Sequence, residues 1–231
     1  ITPAMIAARD KTNGQGSFSV YSNSGALNTR KASHMYGWDI MPRIVSGGIW
    51  RSVYLCKNKA EYIDEVYLYQ RGQNDPREQH LYYKVNVEGD FIREYALKVV
   101  AVCGDHKFEY THWLWHTEGT FNNYAYDAKL WWPRNMGEQN LYDVTVTLLH
   151  IADNLEQLQA IIDTELYDFC DEHGIAVWQD FAMACAYYPQ NKNFLSEIEK
   201  EAESVVKKYR QHASLFLWAG DNEGDLMFRE I

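Results

Sequence analysis

The chain has 231 residues with a formal net charge of −10, and 46% of its residues are hydrophobic and 15% aromatic. This length allows a sizeable core in one or two domains, and an acidic chain without a basic stripe argues against nucleic acid and anionic membranes as partners. No apolar run approaches the roughly 18 residues of a membrane span, and the four cysteines lack CxxC spacing.

The first two segments differ in their patterning. Residues 1–56 are rich in Ser, Asn and Gly, which predicts long loops that lead into a strand. From about residue 57 to 150 the hydrophobic residues alternate with polar ones, which predicts half-buried strands at 65–70, 81–87, 95–102 and 142–148. Several short strands separated by turn residues predict a β-sandwich.

From about residue 153 the hydrophobic period changes to that of a helix. We expect helices at 154–162 and 165–173, the second ending at Gly174, because glycine readily adopts the left-handed conformation of a helix C-terminus. The second helix is expected to bury Leu166, Phe169 and Cys170.

The last segment alternates strands and helices. We expect buried strands at 175–178 and 215–218, with a helix between them that Ser196 opens through a capping box with Glu199. This order is typical of a parallel α/β sheet or barrel. The second strand runs directly into Gly220, Asp221, Asn222 and Glu223, and chemistry in barrels sits where strands end. Apolar walls raise the pKa of a carboxyl group, so Glu223 suits a proton donor.

The aromatic content, with 17 Tyr and 8 Trp, suits the stacking of rings on sugars, although a β-rich protein would show it as well. Three groups of motifs, in chain order, resemble glycoside hydrolase family 2 and within it the β-mannosidase-like branch. They are YGWDIMPR with GIWR (36–43, 48–51), LWWP with GEQ and LY (130–133, 137–142), and DFCDEHGI with WQDF and GDNE (168–175, 178–181, 220–223).

The resemblance implies three parts: the end of a jelly-roll β-sandwich (1–56), an immunoglobulin-like β-sandwich (57–150) and part of a (β/α)8 TIM barrel (151–231). It implies an exo-acting, retaining glycoside hydrolase that removes terminal non-reducing β-D-mannosyl residues by double displacement, with an oligosaccharide or glycoside as partner and without a metal or cofactor. A related β-glucosaminidase or β-galactosidase, or a non-catalytic carbohydrate-binding fragment, stays open as an alternative.

The resemblance also assigns residue roles. Glu223 matches the acid/base, Asn222 the residue that bonds the sugar 2-hydroxyl, and Asp180 a carboxylate in the sugar pocket. Asp39 matches the jelly-roll carboxylate that holds hydroxyls of the terminal sugar, and Trp178 is expected to wall the pocket. Ordinary structural explanations stay open for these residues: an exposed loop Glu, a turn-forming Asn, a capping carboxylate and a loop salt bridge.

Other candidates are weaker, and the chain departs from the family in places. Trp131 and Trp132 are expected in a sandwich core or a domain interface, and His112 and His116 lack a third metal ligand. The family's nucleophile, a Glu on a later barrel strand, is absent, as is its Trp-Gly-Gly motif, and only about fifteen residues replace a long segment near 150–164. We therefore expect the 231 residues alone to be inactive, and we favour a sequence that joins pieces of a longer chain.

Overall fold

The computed structural model describes residues 2–8, 29–31, 33–37, 42–49, 52–55, 60–70, 77–88, 92–150, 155–156, 165–183 and 188–222. It consists mostly of β-sheets with few helices. The chain divides into two compact units, of which the first comprises Ile1–Leu55, Val177–Lys207 and Phe216–Ile231 and the second Cys56–Ala176 and Lys208–Leu215. None of the helices in the described ranges is long and apolar enough to cross a membrane.

Two antiparallel sheets form most of the second unit. Their strands are β1 (Tyr62–Gln70), β2 (Glu78–Asn86), β3 (Tyr95–Cys103), β4 (His106–Trp113), β5 (Glu118–Tyr124), β6 (Asp143–His150) and β7 (Leu155–Glu156). One sheet has the order β1-β2-β5 and the other β4-β3-β6-β7. The alternating pattern predicted the strands β1, β2, β3 and β6, and the structure confirms all four.

Side chains from both sheets share one hydrophobic core. Every second residue of β2 points into it, as the period of two requires, and β3 contributes its most buried positions. Each fully buried aliphatic or aromatic side chain contributes about 1.5–3 kcal/mol relative to an exposed one. The buried members are Leu81, Tyr83, Val85, Tyr95, Leu97, Val99, Leu114 and Leu148.

The prediction of a helix at 154–162 is wrong for the two residues of this range that the structure describes. Leu155 and Glu156 form β7, whose backbone pairs with His150 and Leu149 of β6. An open sheet edge offers unpaired backbone groups, and pairing with it here outweighs the local helical period. The remaining residues of that range lie outside the described part of the chain.

The predicted helix at 165–173 is confirmed as α2 (Glu165–His173), but the side chains that it buries differ from those expected. Tyr167, Cys170 and Asp171 are buried, whereas Leu166 is 68% and Phe169 51% exposed. These three buried positions share one face of the helix, because they are three and four residues apart. Asp171 tolerates burial because hydrogen bonds satisfy its carboxylate, a feature that hydrophobic periodicity does not register.

Gly174 ends α2 as expected. Its φ of 67° lies in the left-handed region, and the amide of Ile175 donates to the carbonyl of Cys170 at 2.9 Å. That bond is the wider of the two in a Schellman motif. A Cβ at Gly174 would lie 2.5 Å from the backbone nitrogen of Arg134, so the position also requires glycine for close approach.

In the last segment, β8 (Val177–Asp180) and β9 (Leu215–Ala219) form a two-stranded sheet, with α3 (Lys192–Tyr209) between them in sequence. The expected helix start at Ser196 is wrong. The amide of Phe194 donates to Oδ1 of Asn191 at 3.0 Å, so Asn191 is the N-cap and Ser196 lies inside the helix.

Within α3, the partly buried apolar residues include Ile198, Ala202, Val205, Val206 and Tyr209. The expectation that β8 and β9 are buried strands is wrong for several side chains. Ile175, Trp178, Phe216 and Leu217 are exposed. A parallel strand is buried on both faces only where helices cover both, and the described residues supply one helix between these two strands.

The first unit also contains the short helix α1 (Ala4–Ala8) and a 3-10 turn at Ser33–Tyr36. A second 3-10 turn, Ile92–Glu94, precedes β3 in the second unit.

Candidate active site

The ends of β8 and β9 meet at one edge of their sheet. The amide of Phe181 donates to the carbonyl of Ala219 at 3.0 Å, and the amide of Asn222 donates to the carbonyl of Met183 at 2.9 Å. Because the partners advance together along both segments, the two strand ends run parallel, and their carboxyl ends lie at the same edge. Asp180 and Asn222, which the sequence predicts as sugar-binding residues, therefore belong to neighbouring strand ends, where α/β folds place their sites.

Trp178 lies on the same strand as Asp180 and contacts it directly. Its indole Nε1–H donates to Oδ1 of Asp180 at 2.8 Å, while 68% of Trp178 is exposed. The backbone of Asp180 is held as well, because Nε2 of Gln179 donates to its carbonyl oxygen at 2.6 Å. Trp178 and Asp180 thus form one local arrangement at the end of β8.

Aromatic packing joins the two strand ends. The rings of Phe181 and Trp218 are stacked, with centroids 5.4 Å apart and an interplanar angle of 19°. Trp218 lies five positions before Glu223 in the sequence, but Glu223 lies outside the described residues. Asp39 lies outside them too, so the roles of Glu223 and Asp39 stay predictions.

Arg30 is a supporting residue that the sequence reasoning missed. Its guanidinium forms two hydrogen bonds of 2.6 Å with the carboxylate of Glu201 on α3, and Nη2 also donates to the carbonyl of Ala182 at 2.9 Å. The hydrogen bond with Glu201 raises the pKa of Arg30 above its ordinary value. Arg30 therefore ties the segment just after β8 to α3, and no motif in the sequence signalled this contact between distant positions.

A second polar cluster lies at the C-terminal half of α2. One ligand-type atom from each of Asp168, Asp171 and His212 lies within 4.8 Å of the others, a spacing that would suit a metal ion. However, Oδ1 of Asp171 accepts the amide of Ser214 at 2.7 Å, and Oδ2 accepts Nδ1 of His212 at 2.7 Å. Both oxygens are therefore occupied, and the indole of Trp131 donates to the Asp171 carbonyl at 2.8 Å.

Electrostatics agrees with a structural role for Asp171. Burial by itself would raise the pKa of this carboxyl, but the hydrogen bonds from His212 and Ser214 outweigh burial and lower the pKa. The carboxylate thus stays ionised while it fixes α2 to the segment that precedes β9. The bond from Trp131 also fits the expectation that this indole serves structure and not sugar binding.

The structure gives different contacts for the two histidines that the sequence raised as a possible metal pair. The ring of His112 is stacked on Phe121 with centroids 4.3 Å apart and is hydrogen-bonded to the side chain of Asn123. His116 lies between β4 and β5, where its carbonyl accepts the hydroxyl of Tyr83 at 3.1 Å.

The chain is similar to curated proteins either over most of its length or over a short segment at higher identity. None of the family models searched matches the chain. The β-mannosidase B of Aspergillus fumigatus is 25% identical over 274 aligned positions, which cover 85% of this chain and 32% of that protein. The β-mannosidase of Bos taurus is 43% identical over 61 residues, or 26% of this chain and 7% of that protein.

Solved structures with a similar fold include a β-D-mannosidase from Dictyoglomus thermophilum, with a TM-score of 0.76 and 22% identity over 96% of this chain and 37% of that one. A β-glucuronidase from Parabacteroides merdae has a TM-score of 0.52 and 13% identity over 72% of this chain and 29% of that one. At these identities the likeness concerns the fold.

The curated relatives described above are named β-mannosidases, and the solved structures with a similar fold are a β-D-mannosidase and a β-glucuronidase. The chain is thus β-mannosidase-like in sequence and in fold, in agreement with the resemblance that its motifs carry.

The chain spans about a third of the length of the curated relatives that it matches over most of its residues. Since 85% of 231 residues is about 196, the 274-position alignment holds about 78 positions at which the Aspergillus protein has residues and this chain has none. These positions lie inside the alignment, so the relative carries internal segments without a counterpart here.

Proposed function

We propose that the protein carrying this chain is an exo-acting β-mannosidase that removes terminal non-reducing β-D-mannosyl residues with retention of configuration. The observation that carries the proposal is the similarity to β-mannosidases over 85% of the chain, together with a matching fold over 96% of it. On this proposal residues 1–56 belong to a jelly roll, the two antiparallel sheets of the second unit belong to an immunoglobulin-like sandwich, and β8, α3 and β9 belong to a TIM barrel.

The mechanism is double displacement between two carboxyl groups about 5–5.5 Å apart. Glu223 protonates the leaving oxygen and later removes a proton from the attacking water. The nucleophile is a Glu on a further barrel strand, which these residues do not include. Glu223 directly follows Asn222, and the amide of Asn222 is fixed to Met183, which supports a strand end with a defined position.

Asn222 and Asp180 bind the sugar on neighbouring strand ends. The side-chain amide of Asn222 bonds the 2-hydroxyl, a contact that strengthens in the transition state and so lowers the barrier. The carboxylate of Asp180 accepts a second hydroxyl, and Asp39 holds hydroxyls of the terminal sugar from the jelly-roll side. Hydrogen bonds to ionised carboxylates are shorter and stronger than bonds between neutral groups. These two aspartates therefore contribute strongly to the choice of sugar.

Related exo-glycosidases rank behind β-mannosidase. The likeness to a β-glucuronidase covers less of the chain and has a lower TM-score than the likeness to the β-D-mannosidase. A β-glucosaminidase or β-galactosidase and a non-catalytic carbohydrate-binding fragment remain the alternatives, and a substrate panel separates them.

The test is to compare kcat/KM of the protein, expressed from its complete gene, on 4-nitrophenyl β-D-mannoside with that on the matching β-galactoside, β-glucuronide and N-acetyl-β-glucosaminide. We expect the mannoside to be the best substrate by a wide margin. A higher kcat/KM on another glycoside would replace the proposed sugar. Binding of mannosides without turnover of any of the four would favour the non-catalytic alternative.

A further inference from the structure

Trp178 and Asp180 stand two residues apart on β8, so their side chains lie on the same face of the strand. The indole donates its one hydrogen-bonding proton to Oδ1 of Asp180 at 2.8 Å. Trp178 is largely exposed, yet this proton goes to the carboxylate and not to solvent. The contact links two residues to which the motif resemblance gives separate roles, a pocket wall and a sugar-binding carboxylate.

The backbone at Asp180 is fixed from two sides. Gln179 donates to its carbonyl at 2.6 Å, and the amide of the next residue, Phe181, is bonded across the sheet to Ala219 at 3.0 Å. The carboxyl group itself still turns about its side-chain torsions, of which the terminal one is broad in aspartate. The indole of Trp178 is therefore the contact that restrains the carboxylate plane.

The indole that donates to Asp180 is neutral, so it adds no charge beside the carboxylate. In the described part of the chain, the other oxygen of Asp180, Oδ2, accepts no hydrogen bond. An arginine or lysine in the place of the indole would add a positive charge beside the carboxylate. The indole instead fixes one oxygen and leaves the negative charge in place, so that a hydroxyl donor reaching Oδ2 forms a charge-assisted bond.

We propose that Trp178 is a positioning residue, which orients the Asp180 carboxylate so that Oδ2 accepts a hydroxyl of the bound sugar. This inference rests on the proposed function and deepens it, because it assigns to the indole N–H a part in sugar selection that is separate from any stacking of the ring. If the ring also stacks on the sugar, Trp178→Phe keeps that aromatic face and removes the donor.

The experiment is a double-mutant cycle in the protein expressed from its complete gene, with kcat/KM on 4-nitrophenyl β-D-mannoside as the readout. We expect Trp178→Phe to lower kcat/KM by about tenfold, the lower end for a hydrogen bond to a charged group, because the indole is exposed to competing water. In the Asp180→Asn background the same substitution should change kcat/KM by no more than about twofold, since the oriented charge is already gone.

Trp115→Phe is the matched control. Trp115 is also exposed but lies between β4 and β5, where the Arg93 guanidinium sits 4.8 Å from its ring centroid, and its substitution should leave kcat/KM unchanged. Equal losses from Trp178→Phe in both backgrounds, or no loss in the parent, would overturn the positioning role while the β-mannosidase proposal stands. A parent protein without activity on any of the glycosides would overturn the proposed function and the positioning role with it.

Discussion

The contacts of the Asp171 carboxylate predict how much stability the protein loses when this group is replaced. Asp171→Asn replaces one of two acceptor oxygens by an amide group that only donates. Either the amide of Ser214 then faces a donor and loses its partner, or the new NH2 group faces Nδ1 of His212, whose proton must move to Nε2 before Nδ1 can accept; both contacts are now 2.7 Å. Ser214 is fully buried, so water does not replace the lost acceptor.

A buried donor left without a partner costs about 1–3 kcal/mol, and the loss of the charge weakens the bond that remains. We therefore expect Asp171→Asn to lower the free energy of unfolding by about 2–4 kcal/mol at pH 7, a large part of the roughly 5–15 kcal/mol of an ordinary domain. Urea denaturation followed by circular dichroism measures this difference.

The pH dependence gives the same prediction a second readout. The folded state lowers the pKa of Asp171, so its contribution is present above the ordinary aspartate value of about 4 and is lost as the pH falls through the folded pKa. The difference in stability between the parent and Asp171→Asn should therefore shrink on acidification below about pH 4.

Asp168→Asn is the control on the same helix. Asp168 is exposed and its Oδ1 lies 3.9 Å from Nδ1 of His212, so the substitution should cost less than about 1 kcal/mol. A parent and an Asp171→Asn variant of equal stability at pH 7, or an equal loss in Asp168→Asn, would refute the reasoning.

Three further predictions concern the backbone and the proposed site. Gly174→Ala should lower the free energy of unfolding by about 2–4 kcal/mol, because left-handed strain and a Cβ too close to Arg134 act together. Gly104→Ala, with a φ of 60° and open space around it, should lower it by only about 1–2 kcal/mol, and similar losses of Tm in the two variants would contradict this. If the protein expressed from its complete gene has the proposed activity, Glu223→Gln should greatly slow hydrolysis of natural substrates but have less effect on a dinitrophenyl mannoside, whose leaving group needs no proton, and azide should partly restore activity. Equal losses on both substrates and no azide effect would show that Glu223 is not the acid/base. Asp39→Ala should lower kcat/KM on the parent mannoside by roughly tenfold to more than a hundredfold, and by less on a mannoside that lacks the contacted hydroxyl. Equal losses on the two substrates would show that Asp39 does not contact the sugar.

Much of the strand pattern could be predicted because it depends on local alternation. β3 shows this best, since its inward side chains repeat every second residue and both of its edges are paired. The end of α2 was also predictable, because Gly174 is a local signal for the left-handed conformation. β7 was not, because its two residues follow the edge of β6 and not their own period.

Contacts between distant positions explain the remaining misses. Asp171 is buried on α2 because its partners come from residues 212 and 214, about forty positions later in the chain. The start of α3 was placed too late because the capping box at Ser196 is a stronger sequence pattern than the single side chain of Asn191 that caps the helix. Neither outcome can be read from a short window of sequence.

At the candidate site, the motifs alone named Asp180, Asn222 and Trp178, and the structure places these residues on neighbouring strand ends. The hydrogen bond from the Trp178 indole to Asp180 was not predictable, because it depends on the rotamers of both side chains. The support that Arg30 gives to the end of β8 was missed for a related reason, since its partner Glu201 is 171 positions away.

The most direct test of the central claim is a proton NMR time course of the protein, expressed from its complete gene, acting on an aryl β-D-mannoside. A retaining β-mannosidase releases β-mannose first, and the α-anomer then grows in by mutarotation. We expect that order of appearance, together with its loss in Glu223→Gln. Release of α-mannose first would contradict the double displacement, and the absence of any mannose would contradict the proposed activity itself.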